Sequence, residues 1–293
     1  MKIKPLVFTI SAVLCSTAVW ADNTVTTDTS GSYNTITTTQ QAGDKNAINI
    51  TQATDSNTAK VDQNGSTNSA TINQDYYFGV GYSNGGDTAT ITQIGNSNGN
   101  SAAIHQASDA VSNTHSDATI NQTSSTSSAA TINQTFQNET NSAAINQTGN
   151  NGIATINQSY SGAGFATLSQ SGNYNTASID QSYSNASTAK VSQTGDNNTI
   201  NLSQASTSVI GNNSADISQY NSNNTATINQ NDGDNNSVIV VQGGNEYDVV
   251  TVNQSGSKNI ATINQDVSGG NSINDIVNVR QSGYDNTATI TQQ

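Results

Sequence analysis

The chain has 293 residues, of which only 9% are charged, and its 20 acidic and seven basic side chains give a formal net charge of −13. So acidic a chain would be repelled by nucleic acid phosphates, which argues against nucleic-acid binding. The chain has one cysteine, so no intrachain disulfide can form. Its fold must therefore rest on backbone hydrogen bonds and packing.

Residues 1–21 are typical of a secretory signal peptide. Lys2 and Lys4 form a positive n-region, an apolar stretch runs from Leu6 to Ala18, and cleavage is predicted after Ala21. The apolar run is shorter than the roughly 20 residues that span a bilayer, so no transmembrane segment is expected in the mature chain. Cleavage would remove the only Cys, Trp, Pro and Met and leave five basic against 20 acidic residues.

A repeat fills the rest of the chain, after a short N-terminal leader at 22–33. Residues 34–293 divide into 21 segments, here called arms, that each close on a glutamine. Of the 20 spacings between these glutamines, 14 are 11 or 12 residues. The closing glutamines are at positions 40, 52, 63, 74, 93, 106, 122, 134, 147, 158, 170, 181, 193, 204, 219, 230, 242, 254, 265, 281 and 292.

The arms have the periodicity of β-strands. Two residues before the closing glutamine, 20 of the 21 arms carry an aliphatic residue, with Thr38 the exception. Four residues before it every arm carries Ala, Ile or Val, and six before it 13 arms carry Asn. A step of two places these residues on one face of a strand, whereas a helix would require steps of three and four.

Glycines mark the turns between arms and indicate how the arms are grouped. The signature Gln-x-Gly follows alternate arms over most of the chain and slips by one arm near the C-terminus. Because glycine supplies the positive φ of a tight turn, we expect a two-arm unit of about 23 residues. The sequence therefore predicts an all-β, flattened, two-strand-per-turn β-solenoid with cross-β geometry and about ten rungs. The predicted turn glycines are Gly65, Gly95, Gly149, Gly172, Gly195, Gly256 and Gly283.

The inward residues of the arms are the candidate self-assembly core. In stacked rungs, each Asn or Gln can hydrogen-bond its equivalent one rung away, as in amide ladders of cross-β structure. Outward charges at Asp62, Asp180, Lys60 and Lys190 are possible gatekeepers that slow assembly. The core positions, taken from five representative arms, are Asn68, Ala70, Ile72, Gln74, Ala154, Ile156, Gln158, Ala177, Ile179, Gln181, Asn224, Ala226, Ile228, Gln230, Asn286, Ala288, Ile290 and Gln292.

The repeat resembles the curlin repeat of the bacterial curli family, Ser-x5-Gln-x-Gly-x2-Asn-x-Ala-x3-Gln. Ser187, Gln193, Gly195, Asn198 and Gln204 match this pattern, with Ile where the family has Ala. The segments that begin at positions 63, 170 and 254 match from the first Gln onward, and the chain carries more rungs than familiar members.

The resemblance implies a curli-type major subunit, a secreted functional amyloid that polymerises end to end. It also implies extracellular, cell-surface fibres in the biofilm matrix of a Gram-negative bacterium, and a role in adhesion. The implied partners are other copies of the chain, a nucleator subunit and an outer-membrane secretion channel.

Neither an enzyme site nor a cofactor or metal site is expected. His105 lies at an outward position and His115 in a long turn, and no nucleophile, base or paired-carboxylate arrangement is evident. The segment 232–236 (DGDNN) begins like a calcium loop but lacks its Gly and Glu. The longest insertion, 75–87 (DYYFGVGYSNGGD), is either an adhesive loop or a tolerated turn insertion.

Two alternative functions remain open. An ice-binding solenoid would use outward threonine pairs, such as Thr90 with Thr92 and Thr289 with Thr291. Arms of this kind divide equally between odd and even positions, whereas an ice-binding site needs one flat face. The other alternative is a minor nucleator subunit of the same fibre.

Overall fold

The structure is a computed structural model that describes residues 9–15, 22–41, 43–76, 86–108, 115–137, 140–160, 162–183, 186–206, 211–244, 247–266 and 274–292. The described chain consists of strands joined by turns, without a helix. Among the described residues, no helix could cross a membrane.

Twenty-three strands follow one another along the described chain. Strands β3 to β23 are the 21 arms, since each carries or adjoins one of the closing glutamines. The strands are β1 (Thr9–Cys15), β2 (Thr24–Thr29), β3 (Thr35–Gln41), β4 (Ala47–Gln52), β5 (Thr58–Ser66), β6 (Ser69–Tyr76), β7 (Thr88–Asn98), β8 (Ser101–Ser108), β9 (Asp117–Thr126), β10 (Ala129–Gln137), β11 (Ser142–Asn150), β12 (Ile153–Ser159), β13 (Phe165–Ser171), β14 (Thr176–Ser182), β15 (Thr188–Thr194), β16 (Thr199–Ala205), β17 (Ser214–Gln219), β18 (Thr225–Asn231), β19 (Ser237–Gly243), β20 (Val249–Ser257), β21 (Ile260–Asp266), β22 (Ile276–Tyr284) and β23 (Thr287–Thr291).

The strands alternate between two parallel sheets. The odd-numbered strands form a 12-stranded sheet, here called sheet A, and the even-numbered strands form an 11-stranded sheet, sheet B. Each strand pairs with the strand two places along the chain, in a register that sets Ala on Ala, Ile on Ile and Gln on Gln, as in β12 with β14. This is the β-solenoid that the repeat predicts. At about 4.8 Å between strands, its rungs span roughly 50 Å.

A thin core lies between the two sheets. In strands β3 to β22 every second side chain is buried over the repeat, in the pattern that gives β12 three buried residues among seven, whereas β2 and β23 at the ends are only partly buried. The fully buried side chains are mainly one Ala and one Ile, Leu or Val from each strand. Because the inward side chains are this small, the sheets lie close together, and a one-residue slip would turn every Ile outward.

Two strands lie in the segments that the sequence predicts to be a signal peptide and a leader. Strand β1 pairs with β3 in sheet A, and β2 pairs with β4 in sheet B. Strand β2 shares the inward spacing of the arms, with Val25 opposite Ile48, but Thr29 takes the place of the closing glutamine opposite Gln52. That threonine is why an alignment on glutamines misses β2.

Candidate self-assembly core

The closing glutamines form two continuous hydrogen-bonded columns, one per sheet. In sheet B the Gln158 Nε2 atom donates to Gln181 Oε1 at 2.8 Å, and Gln181 Nε2 donates to Gln204 Oε1 at 2.9 Å. The same bond links every consecutive pair of closing glutamines, at 2.7 to 3.2 Å, from Gln40 to Gln292 in sheet A and from Gln52 to Gln281 in sheet B. Every donor faces the next rung toward the C-terminus.

The second amide proton of most closing glutamines ties the two sheets together. Gln63 Nε2, on sheet A, also donates to the carbonyl oxygen of Ala47, at the start of a sheet B strand, at 3.2 Å. Gln204 Nε2, on sheet B, donates likewise to the carbonyl of Thr188 in sheet A at 3.2 Å. Both glutamines are at most 1% exposed. A single side chain therefore satisfies both of its own donors, bonds the rung beside it and links the two sheets across the core.

The asparagines at the starts of the arms form a second pair of columns. Asn175 Oδ1 accepts the backbone N–H of Asn198 at 2.9 Å, and Asn198 Oδ1 accepts that of Asn224 at 3.0 Å. Asn175 Nδ2 donates to the carbonyl of Gly195, in the turn of the next rung, at 2.7 Å. These amides bind the turns to one another as the glutamines bind the strands.

The seven predicted turn glycines all have positive φ, between 75° and 126°. They also stack closely: a Cβ on Gly149 would lie 2.0 Å from the carbonyl oxygen of Gly172, and one on Gly172 would lie 2.1 Å from that of Gly195. Near the C-terminus the stack passes to the opposite edge, where Gly233, Gly256 and Gly283 succeed one another. The slip in the Gln-x-Gly signature is this change of edge.

The predicted core residues fall into two groups in the structure. Those of the four inner arms, which end at Gln74, Gln158, Gln181 and Gln230, are buried, with at most 1% of each residue exposed. The four of the last arm are only partly buried, since no rung of the described chain covers β23. This last group comprises Asn286, Ala288, Ile290 and Gln292.

The four outward charges lie on the sheet surfaces, and three of them take part in ion pairs. Lys60 Nζ lies 3.0 Å from an oxygen of Asp62 on the same strand, and Lys190 Nζ lies 3.6 Å from an oxygen of Asp216 on the next rung. Asp180 accepts a hydrogen bond from the hydroxyl of Ser182.

Two buried carboxylates were not foreseen from the sequence. Asp87 and Asp248 occupy the Asn position of β7 and β20 and are 2% and 1% exposed. Burial raises the pKa of Asp87 to about 6, against the lowering effect of the hydrogen bond it accepts from the Ser116 N–H. Burial also raises the pKa of Asp248, whose Oδ2 atom has no hydrogen-bond partner in the part of the chain that the structure describes. The signal was available, because aspartate stands at a position of the repeat that is otherwise inward.

The remaining candidate residues are held in ordinary surface contacts. His105 Nε2 lies 3.0 Å from Asp75 Oδ1, and this contact lowers the pKa of Asp75. In the 232–236 segment, Asp234 accepts a hydrogen bond from the Ser206 hydroxyl at 2.9 Å. The described residues contain no group of three or more His, Cys, Asp or Glu side chains that could hold a metal. Most of the tyrosine-rich insertion, residues 77–85, lies outside the described residues.

A protein-family repeat matches one part of the solenoid. The curlin-associated repeat matches residues 165–195, which contain the strands β13, β14 and β15. In this segment β13 pairs with β15 in sheet A. This repeat belongs to a structural rather than a catalytic family. Among curated proteins, no match to the chain is found.

Proposed function

We propose that the chain is a secreted structural subunit that self-assembles into curli-like amyloid fibres outside a Gram-negative cell, where the fibres support adhesion and cell aggregation in the biofilm matrix. The observation that carries this proposal is the pair of unbroken glutamine columns. Each runs through a parallel sheet perpendicular to its strands, which is the arrangement of a cross-β spine.

The proposed mechanism is growth by addition of copies at the ends of the solenoid. At the C-terminal end, β22 and β23 each have one edge that pairs with no strand of the described chain. Unpaired strand edges template the addition of further strands. A second copy that continues both sheets would satisfy the backbone groups of these edges and cover Ile290, which is only partly buried in one copy.

The proposed partners follow from the curlin resemblance. They are further copies of the chain, a nucleator subunit that starts the fibre and an outer-membrane channel that exports it. We propose a major subunit rather than a nucleator, because the last arm keeps the full repeat pattern from Asn286 to Gln292.

An ice-binding role is less consistent with the surface. The ten arms with outward Thr-x-Thr or Thr-x-Asn lie five in sheet A and five in sheet B, and charged pairs such as Lys60 with Asp62 interrupt the array. Thermal hysteresis measured on the monomer tests this alternative, and we expect none.

A fibre-formation experiment tests the proposed function. Residues 22–293 are purified in denaturant, diluted into buffer and followed by thioflavin fluorescence, electron microscopy and fibre diffraction. We expect unbranched fibres with a reflection near 4.7–4.8 Å along the fibre axis. A chain that acquires β-sheet circular dichroism but stays monomeric at high concentration would refute the proposal.

A further inference from the structure

Among the described residues, no group donates a hydrogen bond to the side-chain oxygen of the first glutamine in the sheet A column. Gln40 is 2% exposed and donates to Gln63 Oε1 at 3.1 Å, but its own Oε1 atom has no hydrogen-bond partner among the described residues. Every later glutamine of the column accepts an amide proton from the rung before it. A buried acceptor left unsatisfied costs about 1–3 kcal/mol. Gln52 Oε1, at the start of the sheet B column and opposite Thr29, is unsatisfied in the same way. At the β3 edge, a strand that brings an amide to this position would satisfy Gln40 Oε1.

Strand β1 lies on that edge but does not bring the amide. It pairs with β3 in parallel, with Ile10 opposite Ile36 and Leu14 opposite Gln40. The backbone pairing and the register thus continue the sheet. The residue type in register with Gln40 is thus leucine, which has no side-chain N–H. The pairing of β1 with β3 continues sheet A in its backbone without an amide at this register position.

The missing donor is present at the other end of the solenoid. Gln292 accepts a proton from Gln265 Nε2 at 2.7 Å, and its own Nε2 atom has no acceptor among the described residues. Strand β23 lies in sheet A, as β3 does, and β22 lies in sheet B, as β2 does. A copy placed with its β23 on β3 of another therefore continues both sheets at once. In that position Gln292 Nε2 would meet Gln40 Oε1.

We propose that the β3 edge is the docking surface for β23 of a second copy, and that β1 is an intramolecular cap that occupies this surface in any chain that retains residues 1–21. This inference deepens the proposed function and rests on it. In sheet B the junction would bring Gln281 to Thr29, so the amide column would continue only through sheet A.

The cap affects the two ends of a fibre differently. A chain that retains β1 has a covered β3 edge and a free β22–β23 end. It can add to a fibre only through that free end, and once added it presents a covered edge to the next copy. The capped chain should therefore stop growth at one end of a fibre and leave the other end growing.

Two-colour seeded growth tests the inference. The full chain carries a specific protease site between Ala21 and Asp22 and is used either intact or cut, with labelled seeds grown from the cut chain. We expect the cut chain to extend both ends of a seed and the intact chain alone to form no fibres. A substoichiometric amount of intact chain, mixed with cut chain, should abolish growth at one end only.

Point variants of the intact chain provide the matched control. Ala12→Pro with Val13→Pro removes two adjacent N–H groups of β1, one of which faces β3, so the cap should detach and fibre growth should return. Thr17→Pro with Ala18→Pro lies just beyond β1 and should leave the chain capped. Hydrogen exchange of residues 9–15 reports whether β1 is paired in each variant.

The possible outcomes separate this inference from the proposed function. If the cut chain forms no fibres, the proposed function fails. If the cut chain forms fibres and the intact chain extends both ends equally well, the cap is overturned and the proposed function stands. If the intact chain is blocked but the β1 proline variant remains blocked with unprotected 9–15 amides, β1 pairing is not the cause and the inference is again overturned.

Discussion

The buried aliphatic residues carry most of the hydrophobic stabilisation, and the two faces of one strand allow a direct test. Ile156 is 0% exposed, while its neighbour Thr155 points outward. Ile156→Asp would place an unpaired charge in the thin core and should destabilise the chain by several kcal/mol. Thr155→Asp, the matched control, should cost little. Urea unfolding of both variants checks this, and equal midpoints would contradict the assigned facing.

The glutamine columns should be sensitive to the loss of a single amide. Gln158→Leu would leave Gln134 Nε2 without one of its two acceptors and Gln181 Oε1 without its donor, both inside the core. At about 1–3 kcal/mol for each group, we expect a loss on the order of 2–6 kcal/mol despite the similar size of the new side chain. The control is Ser159→Ala on the same strand. A Gln158→Leu variant as stable as this control would show that the columns contribute little.

Asp87 should make stability depend on pH. Its pKa is about 6 in the folded chain and near 3.8 in the unfolded chain, so the folded state binds the proton more tightly. The raised pKa therefore favours the folded state as long as the carboxyl is protonated. This stabilisation is fully present below about pH 4 and is lost as the pH rises through about 6. Asp87→Asn restores the usual residue of the column and removes this loss. We expect it to be neutral near pH 4 and stabilising by on the order of 2–3 kcal/mol at pH 7.

The measurement is the unfolding free energy of wild type and Asp87→Asn from pH 4 to 8. Asp232→Asn, which changes an exposed carboxylate in a turn, is the control and should leave the pH dependence as in the wild type. A stabilisation by Asp87→Asn that is the same at pH 4 and pH 7 would contradict the protonation argument.

At the scale of the elements, the turns are as constrained as the strands. Gly172 has a φ of 110°, and an added Cβ would lie 2.1 Å from the carbonyl oxygen of Gly195 in the next rung. Gly172→Ala must therefore separate two stacked turns, and we expect a loss of more than 2 kcal/mol together with slower fibre growth. Ser171→Ala, an exposed neighbour in the same turn, is the control. Equal thermal midpoints for the two variants would refute the constraint.

The elements that sequence could predict are those that repeat a side-chain pattern. The spacing from Asn to Gln gave the strands β3 to β23, their facing and their two-sheet arrangement. Strand β2 was missed because Thr29 replaces the glutamine, and β1 because its apolar residues are equally typical of a signal peptide. The direction of the amide columns could not be predicted either, since both ends of a glutamine amide can hydrogen-bond and only the packed geometry fixes which one faces the next rung.

At the scale of the whole molecule, net charge should restrain assembly. Without residues 1–21 the chain has 20 acidic and five basic residues, and repulsion between copies opposes the joining of their ends. Salt screens this repulsion over about 10 Å at 0.1 M, so it should shorten the thioflavin lag. Asp62→Asn with Asp180→Asn should shorten the lag at low salt. The reciprocal control, Lys60→Gln with Lys190→Gln, should lengthen it.

The measurement is the thioflavin lag time of the wild type, the double aspartate variant and the double lysine variant across a salt series. All three should converge at high salt, where screening removes the difference in charge. A lag that ignores salt, or one that lengthens in the aspartate variant, would mean that charge is not what slows assembly.

The common direction of the glutamine columns also gives the molecule an electrical axis. In a sheet the peptide dipoles alternate and nearly cancel, whereas the side-chain amides of both columns here point the same way from rung to rung. Hydrogen-bonded amides in such a row polarise one another. The side-chain amide dipoles of the solenoid are therefore aligned along its axis. The end where amide oxygens emerge carries partial negative charge, and the end where amide protons emerge carries partial positive charge. A fibre built from such units in one orientation would be a polar rod whose two tips attract ions of opposite sign.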